Sequence, residues 1–209
     1  MKKKIPDKTV QRLSVYYRCL YFLSQQGTGE ISSKSLADLL EMKPDQVRKD
    51  LSYFGKFGKR GSGYYVPDLV QQIAKILGLE HGRKVAVVGM GNLGTALAAY
   101  KGFEVLGFNV VATFDVSPQK IGKKIRGVMC YGMKDLNKVI KEKNIEMALL
   151  TVPPEVVQEV TSAIVAAGIK AILNFSSVTL NVPKGVKASD VDLASELKSL
   201  SYFMTTSNR

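Results

Sequence analysis

The stretch Val85-Ala86-Val87-Val88-Gly89-Met90-Gly91-Asn92-Leu93-Gly94 decides the fold of the larger part of this chain. The residues from Lys84 to Val88 predict a short strand, and Leu93 to Tyr100 predict a helix. Between them the glycines follow the spacing G-x-G-x-x-G, which forms a phosphate-binding turn when a strand precedes it and a helix follows. The sequence therefore predicts a βαβ unit that binds a dinucleotide.

A carboxylate stands where such a site needs one. The second predicted strand, Asn109 to Asp115, ends in an acid 21 residues after Gly94. An acidic side chain at about this distance holds the adenosine ribose hydroxyls and would repel a 2′-phosphate. Asp115 thus favours NAD(H) over NADP(H), a preference that the nearby Lys120 weakens. An ordinary glycine-containing turn is the alternative for the motif alone, and its context argues against that alternative.

The rest of this region alternates strands and helices. Apolar segments Ile145 to Thr151 and Ile169 to Phe175 predict strands, separated by a helix from Pro154 to Ala167. This order predicts an α/β fold with a parallel, doubly wound sheet, whose ligands lie beyond the carboxyl ends of the strands. The expected dinucleotide contacts at those ends and in the glycine turn are Gly89, Met90, Gly91, Asn92, Leu93, Gly94, Asp115, Lys120, Thr151, Val152, Pro153, Asn174 and Phe175.

Composition and charge limit the classes of protein to consider. The chain has 209 residues, a formal net charge of +12, two cysteines and one histidine. No segment is apolar over the roughly 20 residues of a membrane span, and the lysine-rich start is not followed by a signal-peptide core. Cys19 and Cys130 lack the spacing of a metal or disulfide pair. We expect a cytoplasmic protein without a metal site. The positive charge is densest before residue 80, which fits contact with nucleic acid.

That N-terminal segment predicts a helix-turn-helix. A first helix is expected over Val10 to Ser24, Ser32 can cap a second, and Pro44 suits the start of a third. Val47, Leu51 and Phe54 share the inward face of the third helix. The side chains expected outside or on the flanks, and therefore against DNA, are Gln46, Arg48, Lys49, Ser52 and Tyr53. A solvated basic helix face is the alternative interpretation of these charges.

A basic, glycine-rich stretch follows the third helix. Residues 55–66 alternate bases, aromatics and glycines and predict a hairpin with its tip at residues 61–63. Such a wing would bring Lys59 and Arg60 to phosphate or into the minor groove, beside Tyr64. Another helix is expected over Asp68 to Leu77, and the segment from Gly78 to Gly82 predicts a linker.

No signature of acid–base catalysis accompanies the dinucleotide motif. The one histidine, His81, falls in the predicted linker, and no tyrosine has a lysine four positions later. A dinucleotide that is sensed and not consumed is therefore the favoured hypothesis. Two alternatives remain open. One is an NAD-dependent oxidoreductase with a basic N-terminal arm, and the other is a scaffold similar to the CoA-binding domain of succinyl-CoA synthetase.

Several motifs together carry a family resemblance over essentially the whole chain. They are Gln46-Val-Arg-Lys-Asp-Leu-Ser-Tyr-Phe-Gly55, Arg60-Gly-x-Gly-Tyr64, Val88-Gly-Met-Gly-x-Leu-Gly94, Ala148-Leu-Leu-Thr-Val-Pro153, Ala167-Gly-Ile-Lys170, Ile172-Leu-Asn-Phe175 and Val191-Asp192. On these the chain resembles the Rex family of redox-sensing transcriptional repressors. The resemblance implies a winged-helix DNA-binding domain over residues 1–80 and a Rossmann NAD(H)-binding domain over residues 81–190. It also implies that a C-terminal helix, residues 191–209, is swapped into a partner subunit.

The same resemblance implies a mechanism. A homodimer would bind an inverted-repeat operator in double-stranded DNA and leave it when NADH binds. The family pattern aligns Arg18, Tyr100 and Asp192 as an interdomain switch. An apolar pocket that includes Val152, Pro153 and Phe175 would favour the neutral reduced nicotinamide over the oxidised cation, because desolvating a charge costs free energy.

Overall fold

The structure is a computed structural model that describes residues 5–58 and 63–207, with Ser207 described by its backbone only. Two compact units divide the chain, Met1–His81 and Gly82–Arg209. The division lies one residue after the expected domain boundary. Each unit has its own apolar core.

The first unit is built from four helices and a two-stranded ribbon. Their bounds are α1 Asp7–Gln25, β1 Glu30–Ile31, α2 Ser33–Leu39, α3 Pro44–Ser52, β2 Tyr64–Tyr65 and α4 Val66–Leu77. Ser32 caps α2, since its Oγ accepts a hydrogen bond from the Ser35 N–H at 2.9 Å. Leu13, Leu20, Val47 and Ile73 are among the residues that close the core with essentially no exposure. The predicted helix, turn and third helix are all present.

The structure describes only part of the predicted hairpin, because residues 59–62 lie outside the described residues. Residues 55–58 form no strand, and Tyr64–Tyr65 pairs antiparallel with Glu30–Ile31. The partner strand therefore comes from before α2, some 30 residues earlier in the chain. Two residues are too few for a strand pattern to be visible in a sequence. Lys59 and Arg60, predicted for the tip region of the wing, lie outside the described residues.

The second unit alternates strands and helices as expected. Its elements are β3 Arg83–Val88, α5 Asn92–Ala98, α6 Lys101–Val105, β4 Phe108–Asp115, β5 Lys124–Ile125, β6 Val128–Gly132, α7 Leu136–Lys143, β7 Met147–Leu150, α8 Val157–Ala166, β8 Ala171–Asn174, β9 Lys187–Asp190 and α9 Leu193–Ser207. The predicted single helix from Leu93 to Tyr100 ends instead at Ala98. The chain is extended at Tyr100, whose ring lies edge-on against Phe103, and a short second helix follows.

The sheet confirms the predicted Rossmann topology. Its strand order is β5-β6-β4-β3-β7-β8-β9, and every neighbouring pair from β6 to β9 is parallel. Only β5, which pairs with β6, is antiparallel. Without β5 the order is that of a dinucleotide-binding fold, with β3 at the point where the strand order reverses. This is the position at which such sheets bind their ligands.

Two apolar clusters cover the two faces of the sheet. Residues of α7 and α8 pack on the face that carries Val88, Phe114 and Leu150. Leu97 and Phe103, from α5 and α6, pack on the opposite face. The last helix, α9, leaves its large apolar side chains exposed. Within the described ranges, no helix is long and apolar enough to cross a membrane.

Candidate dinucleotide site and DNA-binding surface

The glycine turn closes so tightly that two of its positions accept only glycine. Gly89 has φ +94°, and a Cβ there would lie 2.7 Å from the Thr151 carbonyl oxygen. A Cβ on Gly94 would lie 1.9 Å from the Gly89 carbonyl oxygen. By contrast, a Cβ on Gly91 would meet open space. Gly89 and Gly94 therefore shape the turn, while Gly91 leaves room for a ligand to approach the backbone at the start of α5.

Thr151 holds this turn from the neighbouring strand. Its hydroxyl lies 2.6 Å from the Gly89 carbonyl oxygen and 3.1 Å from that of Val88. Its own N–H donates to the Val88 carbonyl oxygen at 2.9 Å. The sequence placed Thr151 near a nicotinamide ring because it follows a strand. The structure gives its hydroxyl a second role, which is to fix the end of β3 against the end of β7.

Asp115 lies at the end of β4, as the motif requires. Its Oδ2 accepts hydrogen bonds from the Met90 N–H at 2.8 Å and from Lys120 Nζ at 3.0 Å. Its Oδ1 accepts one from the Ser117 N–H at 2.8 Å. Burial alone would raise the pKa of Asp115, but these three donors outweigh it and hold the pKa below its usual value. The carboxylate stays charged, and Oδ1 retains acceptor capacity for a ribose hydroxyl.

A cavity of about 860 Å³ opens beside the turn and these strand ends. Of the predicted contacts, the lining includes Gly89, Met90, Gly91, Asp115, Thr151, Val152 and Pro153. The sequence analysis missed Val116, Met133, Val156, Glu159 and Val160, which also line it. Most of these are apolar residues from loops and from the start of α8, where no spacing rule marks them. Together they form a slot suited to a flat ring and a ribose.

The remaining predicted contacts lie outside this cavity. Asn92, Leu93 and Gly94 begin α5, and Lys120 contacts Asp115 from its side. Asn174 is fully buried, and its amide donates to the Val178 carbonyl oxygen and to Asp190 Oδ1. Phe175 packs with the apolar cluster on the opposite face of the sheet. A nicotinamide contact by Asn174 or Phe175 stays a prediction.

The predicted DNA-facing side chains divide into an exposed set and an inward set. Arg48, Lys49 and Ser52 are exposed on α3. Arg48 donates to Ser33 Oγ at 2.9 Å and forms an ion pair with Asp45, so its guanidinium is held at the start of the helix. Basic and hydroxyl side chains on one helix face are those that bind phosphate and read guanine.

The inward set is less available. Tyr64 is only 9% exposed and belongs to the apolar core, and burial raises the pKa of its phenol. Tyr53 is half-buried at the end of α3. Gln46 turns its amide toward a buried carboxylate of its own helix, Asp50. DNA contacts by these three side chains stay predictions.

Comparison with known proteins covers both units. A family model described as "CoA binding domain" matches residues 81–178, and another described as "Putative DNA-binding protein N-terminus" matches residues 4–52. A redox-sensing transcriptional repressor Rex from Desulfitobacterium hafniense is 46% identical over 97% of this chain and 97% of its own. The chain belongs to the Rex family. The resemblance inferred from the motifs is confirmed.

Solved structures of a Rex-family repressor agree with this assignment. The crystal structure of RSP in complex with β-NAD⁺ and operator DNA matches with a TM-score of 0.91 and 35% identity, over 99% of this chain and 95% of that one. RSP in complex with β-NADH matches with a TM-score of 0.87 and 34% identity, over 99% and 97% of the two chains. This chain therefore shares with the Rex repressors the fold that holds a dinucleotide in one unit and DNA-binding helices in the other.

Each residue that the Rex pattern predicts for a switch has a described position. Arg18 is exposed on α1, and Tyr100 is 59% exposed beside the glycine-turn helix. Asp192 caps α9, because its Oδ1 accepts a hydrogen bond from the Ser195 N–H at 3.0 Å. Capping of α9 is therefore one role of Asp192. Their joint action as a switch in Rex stays a prediction.

Proposed function

We propose that this chain is a redox-sensing transcriptional repressor that binds an inverted-repeat operator as a homodimer and is released by NADH. One observation carries the proposal: a single chain combines an NAD-type site, with Asp115 at its ribose end, and an exposed basic helix of a helix-turn-helix. Its full-length relatives named as redox-sensing repressors support the same combination. Sensing requires both sites on one molecule.

The apolar residues expected at the nicotinamide ring, Val152 and Pro153, support a preference for the reduced nucleotide. Asp115 is expected at the adenosine ribose, so the apolar residues beside it, Val116 and Met133, do not bear on the oxidation state of the nicotinamide. Oxidised nicotinamide carries a positive ring charge, whereas the reduced ring is neutral. Transfer of a cation to an apolar slot costs free energy, so the neutral ring binds better. Asp115 already bonds backbone groups, which suits it to holding a ribose and not to proton transfer.

A ligand changes DNA binding only if it prefers one conformation of the protein. A dimer must match half-sites about one helical turn, 34 to 36 Å, apart. We propose that NADH favours a conformation in which the two recognition helices no longer match that spacing. Polar contacts of Arg18, Tyr100 and Asp192 would change between the two conformations.

Two apolar surfaces of the second unit support the homodimer. One is the exposed face of α9, with Leu197, Leu200 and Phe203 each more than 60% exposed. The other is a groove of about 360 Å³ on the sheet, with Phe108 and Leu173 in its lining. Exposed apolar patches of this kind mark protein interfaces. We propose that a second copy of the chain covers them, with α9 as the swapped element.

Catalysis is not part of the proposal. The relatives are named as repressors, and a sensor has no need to turn over its dinucleotide. A repressor acts where DNA and NADH are both present, which places the protein in the cytoplasm. An NAD-dependent oxidoreductase is the competing function, and it would consume NADH in the presence of a substrate.

The test begins with selection of tight-binding duplexes from a random 30-base-pair pool. The enriched duplex is then labelled, and its fluorescence anisotropy is titrated with the protein alone, with NADH and with NAD⁺, at one fixed salt concentration. We expect an inverted repeat whose Kd rises at least tenfold with NADH and little with NAD⁺. A Gly91→Ala variant should bind the same duplex without responding to NADH. An enriched pool without a repeat, or equal responses to both nucleotides, would contradict the proposal.

A further inference from the structure

A carboxylate is fully buried on the helix predicted to read DNA. Asp50 belongs to α3 and has no exposed surface, between the core residues Val47 and Leu51. Burying a charged group is costly unless it is paired and hydrogen-bonded. The burial of an acid on the inner side of a DNA-facing helix therefore needs a physical explanation. The dinucleotide site does not explain it, because that site belongs to the second unit.

Three side chains of α1 converge on this carboxylate. Arg12 donates twice, from Nε to Oδ2 at 2.5 Å and from Nη2 to Oδ1 at 2.8 Å. The Tyr16 hydroxyl donates to Oδ2 at 2.8 Å, and the Thr9 hydroxyl lies 3.3 Å from Oδ1. A bidentate guanidinium–carboxylate pair fixes distance and plane together. The rotation of α3 on α1 is therefore set by directional bonds in addition to apolar packing.

A fourth donor comes from α3 itself. Gln46 lies one turn before Asp50, and its Nε2 donates to Asp50 Oδ1 at 2.8 Å. One N–H of the amide is thereby used, and the plane of the amide is held by the carboxylate. Among the described residues no other hydrogen bond to the Gln46 amide is formed, so its second N–H and its oxygen can bind another partner. A glutamine reads adenine with one donor and one acceptor of this kind.

The charges in this cluster are stable. Burial would raise the pKa of Asp50, but the bonds from Arg12, Tyr16 and Gln46 outweigh it and lower the pKa below its usual value. The hydrogen bond to Asp50 raises the pKa of Arg12, and burial followed by that same carboxylate raises the pKa of Tyr16. The charge of Arg12 is paired with that of Asp50, so the attraction of α3 for phosphate comes from other basic side chains.

We propose that Asp50 is a positioning residue for operator recognition: by holding α3 on α1 and by orienting Gln46, it determines discrimination between DNA sequences. The inference rests on the proposed function. Base contacts need hydrogen-bond geometry, whereas the attraction between basic side chains and phosphate tolerates small rotations. Loss of Asp50 should therefore weaken operator binding much more than binding to unrelated DNA.

The experiment compares Kd for the selected duplex with Kd for a scrambled duplex of the same length and composition. The variants are Asp50→Asn, Arg12→Gln and the double variant, each also followed by thermal unfolding. The single variants leave one buried charge or donor group without its partner and should unfold earlier. The double variant removes both charges and should recover most of that loss. If the ion pair had only a structural role, the double variant would recover the preference for the selected duplex together with its stability.

We expect the ratio of the Kd for the scrambled duplex to the Kd for the selected duplex to fall at least tenfold in Asp50→Asn and to stay low in the double variant. Gln46→Ala should lower the ratio in the wild-type background and lower it less in the double variant, because a neutral amide at position 50 holds the Gln46 amide less firmly than the carboxylate does. The matched control is Asp68→Asn, which removes the charge from an exposed pair of the same type, Gln72 to Asp68, on α4.

The outcomes separate this inference from the proposed function. A wild-type chain without preference for any selected duplex would overturn both. A wild-type preference that the double variant retains would overturn the positioning role alone. The same holds if Gln46→Ala lowers the ratio equally in both backgrounds, or if binding to both duplexes falls in parallel.

Discussion

The Thr151 hydroxyl donates to the Gly89 carbonyl oxygen at 2.6 Å and joins the end of β7 to the first glycine of the dinucleotide turn. The two residues are 62 positions apart in the chain, and the Thr151 carbonyl oxygen lies where a side chain at position 89 would begin, so only glycine fits there. The turn therefore depends on a strand that belongs to the other half of the sheet.

We expect Thr151→Ala to weaken NADH binding about fivefold, since one hydrogen bond contributes about 1 kcal/mol. Thr151→Ser keeps the hydroxyl and should bind almost as the wild type does. NADH fluorescence titration measures both. Thr161→Ala is the control, because Thr161 is more deeply buried than Thr151 and, among the described residues, its hydroxyl bonds only the Val157 carbonyl oxygen of its own helix. Equal affinities for Thr151→Ala and Thr151→Ser would show that the bond is unimportant.

Gly91 and Gly94 should fail in different ways when each is replaced by alanine. A Cβ on Gly94 collides with the Gly89 carbonyl oxygen, so Gly94→Ala should lower the free energy of unfolding by about 3 kcal/mol. A Cβ on Gly91 meets no protein atom, so Gly91→Ala should unfold as the wild type does but lose at least tenfold in NADH affinity. Thermal unfolding and NADH titration of each variant separate the two effects. Normal NADH affinity in Gly91→Ala would mean that the ligand does not approach there.

Much of the fold followed from local spacing in the sequence. The glycine motif and Asp115 both belong to one βαβ unit, and the ends of β3, β4, β7 and β8 were predicted within two residues. The strands β5, β6 and β9 were not predicted. Pairing between short segments that are distant in the chain produces no spacing pattern in the sequence. Tyr64–Tyr65 pairs with Glu30–Ile31, and neither segment is long enough to show alternation.

Asp50 was missed for a different reason. The predicted inward face of α3 contained Val47, Leu51 and Phe54, and a carboxylate beside them was not considered as part of it. The sequence did carry an indication of this cluster. Position 50 lies three residues after Val47, which places it near the inward face of α3, and Arg12 and Tyr16 are one turn apart on α1. Only the packing of α1 on α3 shows that these groups meet.

Asp192 combines a local role with the predicted switch, and one substitution separates the two. Asparagine caps helices as well as aspartate does, so Asp192→Asn should preserve α9 while it removes the charge. We expect Asp192→Asn to require several times more NADH for half-release of the operator, with unchanged operator affinity in the absence of NADH. Anisotropy of the operator duplex, titrated with NADH, measures this. Half-release at the wild-type concentration would leave Asp192 as a helix cap alone.

Acid should loosen the contact between α1 and α3 through Asp50. An unfolded aspartate has a pKa of about 3.9, and the folded pKa of Asp50 is lower, so the folded state binds fewer protons in this range. The stabilisation is therefore complete above about pH 5 and is lost as pH falls through the folded pKa. Hydrogen exchange of the α3 amides in the full chain, corrected for intrinsic rates and compared between pH 5 and pH 3, measures the loss. The Arg12→Gln, Asp50→Asn double variant has no such carboxylate and should lose less protection over the same interval; an equal loss would assign the acid response to other groups.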